Sequence, residues 1–245
     1  MTERTGRLHD RLAWARLDGV QPGVVFLPGF RSDMQGSKAL ALRDHCAARG
    51  RAFLRFDYSG HGESEGRFED GTIGQWAADA IAVFDALTEG PQVLVGSSMG
   101  GWIALLLARA RPERIAALVG IAPAPDFTEK LMWPAFGEAE REEIMQRGVL
   151  HLPSQYGEPT PVTRALIEDG GQHNLLDAPI PLRCPVRILH GMRDPDVPWQ
   201  HALRLVEALE SEDVRLHLIK DGDHRLSRPE DLRLLAETVD QLPAG

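Results

Sequence analysis

Short, largely apolar runs alternate with amphipathic stretches along most of the chain. "VVFLPG" (Val24–Gly29), "AFLRFD" (Ala52–Asp57), "QVLVG" (Gln92–Gly96), "IAALVGIA" (Ile115–Ala122), "PVRILHG" (Pro185–Gly191) and "VRLHLI" (Val214–Ile219) are each bounded by turn residues. Runs of this length and character predict strands buried on both faces. Between them, apolar residues recur at helical spacing. In "GSKALALRDHCAARG", Leu40, Leu42 and Cys46 line one side, with Ser37 the expected N-cap and Gly50 the C-cap. "TIGQWAADAIAVFDAL" opens at Thr72 as N-cap and places Ile73, Trp76, Ala80, Val83, Phe84 and Leu87 on one face. "MGGWIALLLARA", "WQHALRLVEAL" and "PEDLRLLAETVDQL" are the remaining expected helices. Strands alternating with helices predict an α/β fold, a mostly parallel central sheet flanked by helices on both faces.

The alternation breaks between Pro123 and Pro181. Prolines crowd this stretch, no strand-like run of the same quality occurs in it, and "GEAEREEIMQRGV" reads as a helix. The expected organisation is therefore a core of residues 1–122 and 182–245, with residues 123–181 inserted as a helical cap over the C-terminal edge of the sheet, where open parallel sheets bind ligands. Phe127, Leu131, Met132, Trp133, Phe136, Met145, Val149, Leu150, Leu152 and Tyr156 are available to pack a small core for this cap. Some would line an apolar acyl slot, since a wall rich in Met and aromatic residues suits a flexible chain. Met132 and Trp133, with Trp102 and Trp199 from the core, are the candidate substrate-binding residues.

Composition narrows the function classes. The 245 residues carry a formal net charge of −9, which argues against a nucleic-acid or anionic-membrane partner that would need a basic face. No apolar run reaches the length of a membrane span. The first residues, "MTERTGRLHDRLAWARL", contain Glu3 and Asp10 and no apolar h-region, so neither a signal nor a transit peptide is expected and a cytoplasmic location is. The two cysteines, Cys46 and Cys184, lack metal-ligand spacing and are expected as reduced thiols. No metal site and no cofactor is expected, and the state is a monomer or homodimer.

Gly96-Ser97-Ser98-Met99-Gly100 fits G-x-S-x-G between a strand and a helix, the context of a nucleophile elbow. Ser98 holds the central position; Ser97 is expected to pack beside the turn. A serine hydroxyl needs a base, and the base needs a third group to hold its tautomer. In this topology the chain order is Ser, acid, His. "HGMRDPDVPW" follows one strand and offers Asp194, with Asp196 as rival; "IKDGDHRLS" follows the next and offers His224. His190 and His61 read as structural, His173 as a surface residue of the insertion, and the other histidines have no motif context. The oxyanion would be held by the N–H of Met99 and by an N–H from "LPGFRSD", of which Phe30 is the candidate.

The order "LPGF", "FDYSGHGES", "GSSMGGW", "HGMRDPDVPW" and "GDHR" resembles the α/β-hydrolase superfamily across nearly the whole chain. Within it, "RFDYSG", "GSSMGGW", "CPVRILHGMRDPDVPW" and "DHR" are similar in kind and position to the mitochondrial palmitoyl-protein thioesterases of the α/β-hydrolase-domain group, also known as acyl-glucuronide esterases. With no long targeting extension, the chain is expected to be a bacterial relative. The resemblance implies Ser98 as nucleophile, His224 as base and Asp194 rather than Asp196 as acid. It implies S-acylated cysteines of lipidated proteins, or small-molecule acyl esters including acyl glucuronides, as substrates. The alternatives are a carboxylesterase for short or aryl esters, a peptidase or acyltransferase on the same fold, and a non-catalytic binding protein.

Overall fold

The computed structural model describes residues 2–153 and 159–242; Tyr156, assigned above to the cap core, lies outside them. The chain runs β1 (Glu3–Leu8), β2 (Leu12–Leu17), β3 (Val20–Leu27), α1 (Ser37–Ala48), β4 (Arg51–Phe56), α2 (Ile73–Leu87), β5 (Gln92–Ser97), α3 (Met99–Ala110) and β6 (Ile115–Ile121). The insertion contributes α4 (Trp133–Ala135), α5 (Glu138–Arg147), β7 (Val149–Leu152), β8 (Thr160–Thr163) and α6 (Arg164–Gly171). The core resumes with β9 (Val186–Gly191), α7 (Trp199–Ala208), β10 (Val214–Ile219) and α8 (Pro229–Asp240). Eight strands form one sheet in the order β1-β2-β4-β3-β5-β6-β9-β10. From β4 to β10 every pairing is parallel; β1 and β2 join that parallel block through antiparallel pairings.

The inner parallel strands are buried as their apolar runs predict, but β10 is not: as the edge strand of the sheet it has no fully buried residue, so its run is half solvated. β5 is buried along its whole length, and two apolar layers cover the two faces of the sheet. One layer gathers Trp76, Phe84, Trp102, Leu105 and Ile188; the other gathers Phe26, Leu42, Phe53, Val95 and Leu235. Thr72 caps α2 by accepting the Gln75 N–H. At α1 the cap is Gly36, and Ser37 is already inside the helix; its buried side is Ala39, Leu42 and Cys46, with Leu40 half-buried. Gly50 follows α1 at φ +66°, and its N–H bonds Ala47 O.

Two features differ from the sequence reading. The β1–β2 hairpin has no continuous apolar run, because β1 is an edge strand with polar residues along its exposed side. Its turn places His9 and Asp10 at φ 51° and 57°, with Arg11 N–H donating to Leu8 O. That is turn geometry without the Asn-Gly signal that usually announces it. The insertion, expected to be helical, also holds the antiparallel pair β7–β8, whose four-residue strands "VLHL" and "TPVT" are too short to stand out. Phe136, Ile144, Leu150 and Val162 form its core, with Met132, Trp133, Leu152 and Ile167 packed against them. Phe127 and Leu131 join the main core instead, and Met145 is exposed. Among the described residues no helix is long and apolar enough to cross a membrane.

Candidate active site

β5 delivers Ser98 to the C-terminal edge of the sheet through a turn too tight for ordinary residues. Ser98 itself sits at φ 54°, ψ −120°, a conformation that L residues adopt only when their surroundings enforce it. A Cβ on Gly96 would stand 2.3 Å from Gly100 O, and one on Gly100 would stand 2.1 Å from Leu27 O. Both positions of the G-x-S-x-G pattern are therefore closed to any side chain. Ser98 N–H donates to Ile121 O, and Ser98 O accepts from Gly101 and Ala124, so the strained turn is bonded on both sides.

Three side chains, from the ends of β5, β9 and β10, meet here. Asp194 lies in the loop after β9 and His224 in the loop after β10. His224 Nδ1 lies 2.7 Å from Asp194 Oδ2, and His224 Nε2 lies 3.0 Å from Ser98 Oγ. A carboxylate only accepts, so Nδ1 carries the hydrogen, Nε2 presents its lone pair, and Ser98 Oγ–H donates to it. The Asp194 side chain is fully buried, and its other oxygen accepts the N–H groups of Asp196 and Val197 at 2.8 Å each. Asp196, the rival acid, is exposed. Asp194, Asp196 and His224 bring ligand-type atoms within 4.8 Å of one another. Both Asp194 oxygens and both His224 nitrogens are already engaged in the arrangement just described.

The loop after β3 lies against Ser98: a Cβ on Gly29 would be 3.3 Å from Ser98 Cβ. Phe30 follows directly, and Met99 is the first residue of α3, where a backbone N–H has no partner within the helix. The loop is anchored from several sides. Asp57, buried, accepts Met34 N–H at 2.7 Å and Glu63 N–H at 2.9 Å; burial pushes its carboxyl up, and these bonds oppose that. Tyr58 Oη–H donates to Pro28 O. Arg31 Nη1 donates to Pro159 O and Thr160 Oγ1, tying the loop to the insertion. The Phe30 ring is wedged edge-on among Phe68, Trp76 and Phe127. Lys38 Nζ donates to Arg225 O at 2.6 Å, so α1 holds the residue that follows His224. Burial lowers this ammonium to about 8. Sequence reasoning missed these anchors, which join residues up to 187 positions apart.

Two cavities touch this group. One of about 170 Å³ is lined by Ser98 and His224 with Ser32, Asp33, Ser37, Lys38 and Ser227 among others. A second of about 530 Å³ continues past His224, Phe30 and Arg225 to Thr160, Pro195 and Asp196. None of Trp102, Met132, Trp133 and Trp199 lines either one. Trp102 is fully buried on α3, edge-on to Phe127, and its Nε1–H donates to His173 O. Met132 and Trp133 are spent on the core of the insertion, where Arg141 also stacks over the Trp133 ring. Trp199 is half-buried at the start of α7. A further cavity of about 320 Å³ sits at the N-terminal ends of β3 and β5, the wrong end of the sheet for Ser98.

His61, His173 and His201 are structural in their contacts. His61 is boxed by Tyr58, Phe68 and Trp76, and burial lowers it to about 4. His201 Nε2–H donates to Pro125 O. His173 is half-buried, with its ring beside Asp169. Cys46 and Cys184 are free thiols, each pushed up to about 11 by burial.

Comparison with known proteins places this geometry. The family described as "Serine aminopeptidase, S33" matches residues 20–165. The mitochondrial palmitoyl-protein thioesterase ABHD10 of Bos taurus is 43% identical over 235 residues, 94% of this chain and 76% of that protein. The mouse protein of that name is 44% identical over 233 residues, 94% and 78% of the two chains. Among solved structures, a putative hydrolase from Agrobacterium vitis S4 superposes with a TM-score of 0.91 at 46% identity, covering 98% and 97% of the two chains. The mouse α/β hydrolase domain-containing protein 10 superposes at 0.89 with 41% identity, covering 98% of each. The chain belongs to the α/β-hydrolase superfamily, as a serine hydrolase of the family that includes the palmitoyl-protein thioesterases ABHD10.

Proposed function

We propose that the chain hydrolyses acyl thioesters and esters through Ser98, His224 and Asp194. The observation that carries this reading is the hydrogen-bonded line from Ser98 Oγ to His224 Nε2 and from His224 Nδ1 to Asp194 Oδ2, at 3.0 and 2.7 Å. Ser98 Oγ attacks the acyl carbonyl as its proton passes to His224 Nε2. The imidazolium so formed is stabilised by the buried Asp194. The N–H groups of Phe30 and Met99 hold the oxyanion, and His224 returns its proton to the departing thiol or alcohol. Water, activated by the same His224, then attacks the acyl-enzyme, and Ser98 is regenerated. Residues 123–181 act as a cap over this edge. A cytoplasmic enzyme acting on S-acyl cysteine or on acyl glucuronides is the finer form of this reading, supported by the resemblance to the ABHD10 thioesterases.

One observation favours a second reading, an esterase for short or polar acyl esters. Beside Phe26, Phe30 and Pro195, the cavities at Ser98 and His224 are walled by Ser32, Ser37, Lys38, Ser227, Thr160 and Asp196, and none of the apolar residues of the insertion lines them. The deciding experiment measures kcat/KM over matched thioesters and oxyesters from acetyl to palmitoyl, with Ser98→Ala as the blank. A rise toward long thioesters supports the deacylase. A maximum at short chains moves the protein to the carboxylesterases, and turnover by Ser98→Ala overturns the mechanism.

A further inference from the structure

His190 is the last residue but one of β9, fully buried, four residues before Asp194. Its Nε2 lies 2.9 Å from Val197 O, a pure acceptor, so Nε2 carries the ring's hydrogen. The same Nε2 is 3.5 Å from Asp194 Oδ2, the oxygen that accepts His224 Nδ1–H. His190 Nδ1 is buried with no hydrogen-bond partner. An unpaired buried polar atom is costly, and an apolar residue at this position would avoid it. What the imidazole supplies in return is an N–H bonded to Val197 O and directed near Asp194 Oδ2, which among the described residues accepts no backbone N–H.

We propose that His190 is a positioning residue for the Ser98–His224–Asp194 relay: its Nε2–H, donated to Val197 O and standing 3.5 Å from Asp194 Oδ2, pins the 194–197 loop and, as a nearby dipole, limits how strongly that oxygen pulls on His224 Nδ1–H. The inference rests on the relay proposed above. Desolvation keeps His190 neutral, so it contributes a dipole and not a charge. The titratable and charged groups around this cluster are Asp194, Asp196 and His224, His201 on α7 (itself held neutral by burial), and Asp223 and Arg225 beside His224. An N–H dipole 3.5 Å from the oxygen that His224 uses weakens that oxygen's hold on His224 Nδ1–H. Removing His190 leaves the carboxylate to His224 alone and makes the base more basic. Asp194 keeps its place, because Asp196 and Val197 still hold Oδ1.

The test compares His190→Leu and His190→Gln with the parent chain, reading kcat, KM and the pH profile of kcat/KM on an activated acyl ester. His190→Leu is expected to move the acidic midpoint upward by about half a pH unit and to lower kcat severalfold with KM unchanged. His190→Gln, which keeps an N–H donor, is expected to return the midpoint toward the parent. An unmoved midpoint in His190→Leu with only a lower melting temperature makes His190 a core residue and overturns the proposal. A downward shift overturns it too. Should His190→Leu not fold, ¹⁵N-histidine NMR of the parent chain at neutral pH decides: the expected result is the neutral Nε2–H tautomer for His190, and an Nδ1–H tautomer or a protonated ring there overturns the proposal. Absence of fluorophosphonate labelling at Ser98 in the parent chain is a separate failure, that of the relay itself.

Discussion

Gly100→Ala isolates what the tight elbow does for the chemistry. The added Cβ would lie 2.1 Å from Leu27 O and 2.5 Å from Pro28 O, where real contacts essentially never fall below 3.0 Å. Both atoms are backbone, so no side chain can swing away. Either α3 or the end of β3 must retreat by about 1 Å, a shift of the kind that costs about 1–3 kcal/mol when a packed core is overfilled. The displaced segment leads directly into Gly29 and Phe30, and α3 begins at Met99. The separation of the two proposed oxyanion donors therefore changes whichever side moves. Loss of one such donor is worth about 2.7–4 kcal/mol, or 10²–10³ in kcat. Gly50→Ala is the matched control: its φ is +66°, nothing lies within 4 Å of the new Cβ, and it is far from Ser98 in the fold. It is expected to cost about 1–2 kcal/mol of stability through backbone strain with kcat unchanged. Urea unfolding and steady-state hydrolysis of an activated ester read the two quantities separately. A folded Gly100→Ala enzyme with parental kcat would refute the claim that the close approach of α3 to the β3 end sets the oxyanion geometry.

Asp194→Asn is expected to lower kcat by about 10⁴, the cost of a wrongly held imidazole tautomer, while exposed Asp196→Asn stays within severalfold of the parent; the reverse ranking in the same assay would transfer the acid role. His61, lowered to about 4, stays neutral in the folded state while the unfolded chain takes up a proton below its ordinary value near 6.5. Stability is thus complete above that ordinary value and falls with pH down to about 4, by about 1.4 kcal/mol per pH unit for this one group. His61→Phe should flatten the slope of unfolding free energy over that window, and an unchanged slope would count against the assignment. Trp102→Ala is expected to lose about 3–5 kcal/mol as a buried cavity mutant, with KM for short esters unchanged in whatever fraction remains folded; a selective rise in KM would return Trp102 to the substrate site.

The core of the fold was legible because parallel strands covered on both faces must be apolar throughout, and such runs are conspicuous. The edge hairpin was not, since a strand with one solvated face and an unusual His-Asp turn resembles loop sequence. The same contrast holds at the site. Ser98, Asp194 and His224 each follow a recognisable strand, so their order along the chain was enough to bring them together. Asp57, Lys38 and His190 act through contacts that no local pattern announces. Lys38 reaches across 187 positions to Arg225 O. His190 is hidden in "RILHG", where a strand-end histidine reads as packing, and packing is part of what it does.

Substrate preference is the least legible property, and the insertion shows why. Its Met and aromatic residues are compatible with an apolar slot, but a segment with its own two-stranded sheet and short helices needs those residues to hold itself together. Phe136, Ile144, Leu150 and Val162 are consumed in that core, Met132 and Trp133 lean on it, and Phe127 closes the main core beneath Phe30. What is left beside Ser98 and His224 is Phe26, Phe30 and Pro195 with hydroxyls and charges from α1 and the loops after β3, β9 and β10. A long acyl chain would therefore need the insertion to part from the Phe30 loop, which Arg31 ties to Pro159 and Thr160. On the proposed mechanism, chain-length selectivity is expected to depend on the stability of that contact more than on the apolar content of the insertion. Arg31→Ala should then raise the relative kcat/KM for long acyl chains while leaving acetyl esters nearly unaffected. A uniform loss across all chain lengths would show instead that Arg31 serves only to hold the oxyanion loop.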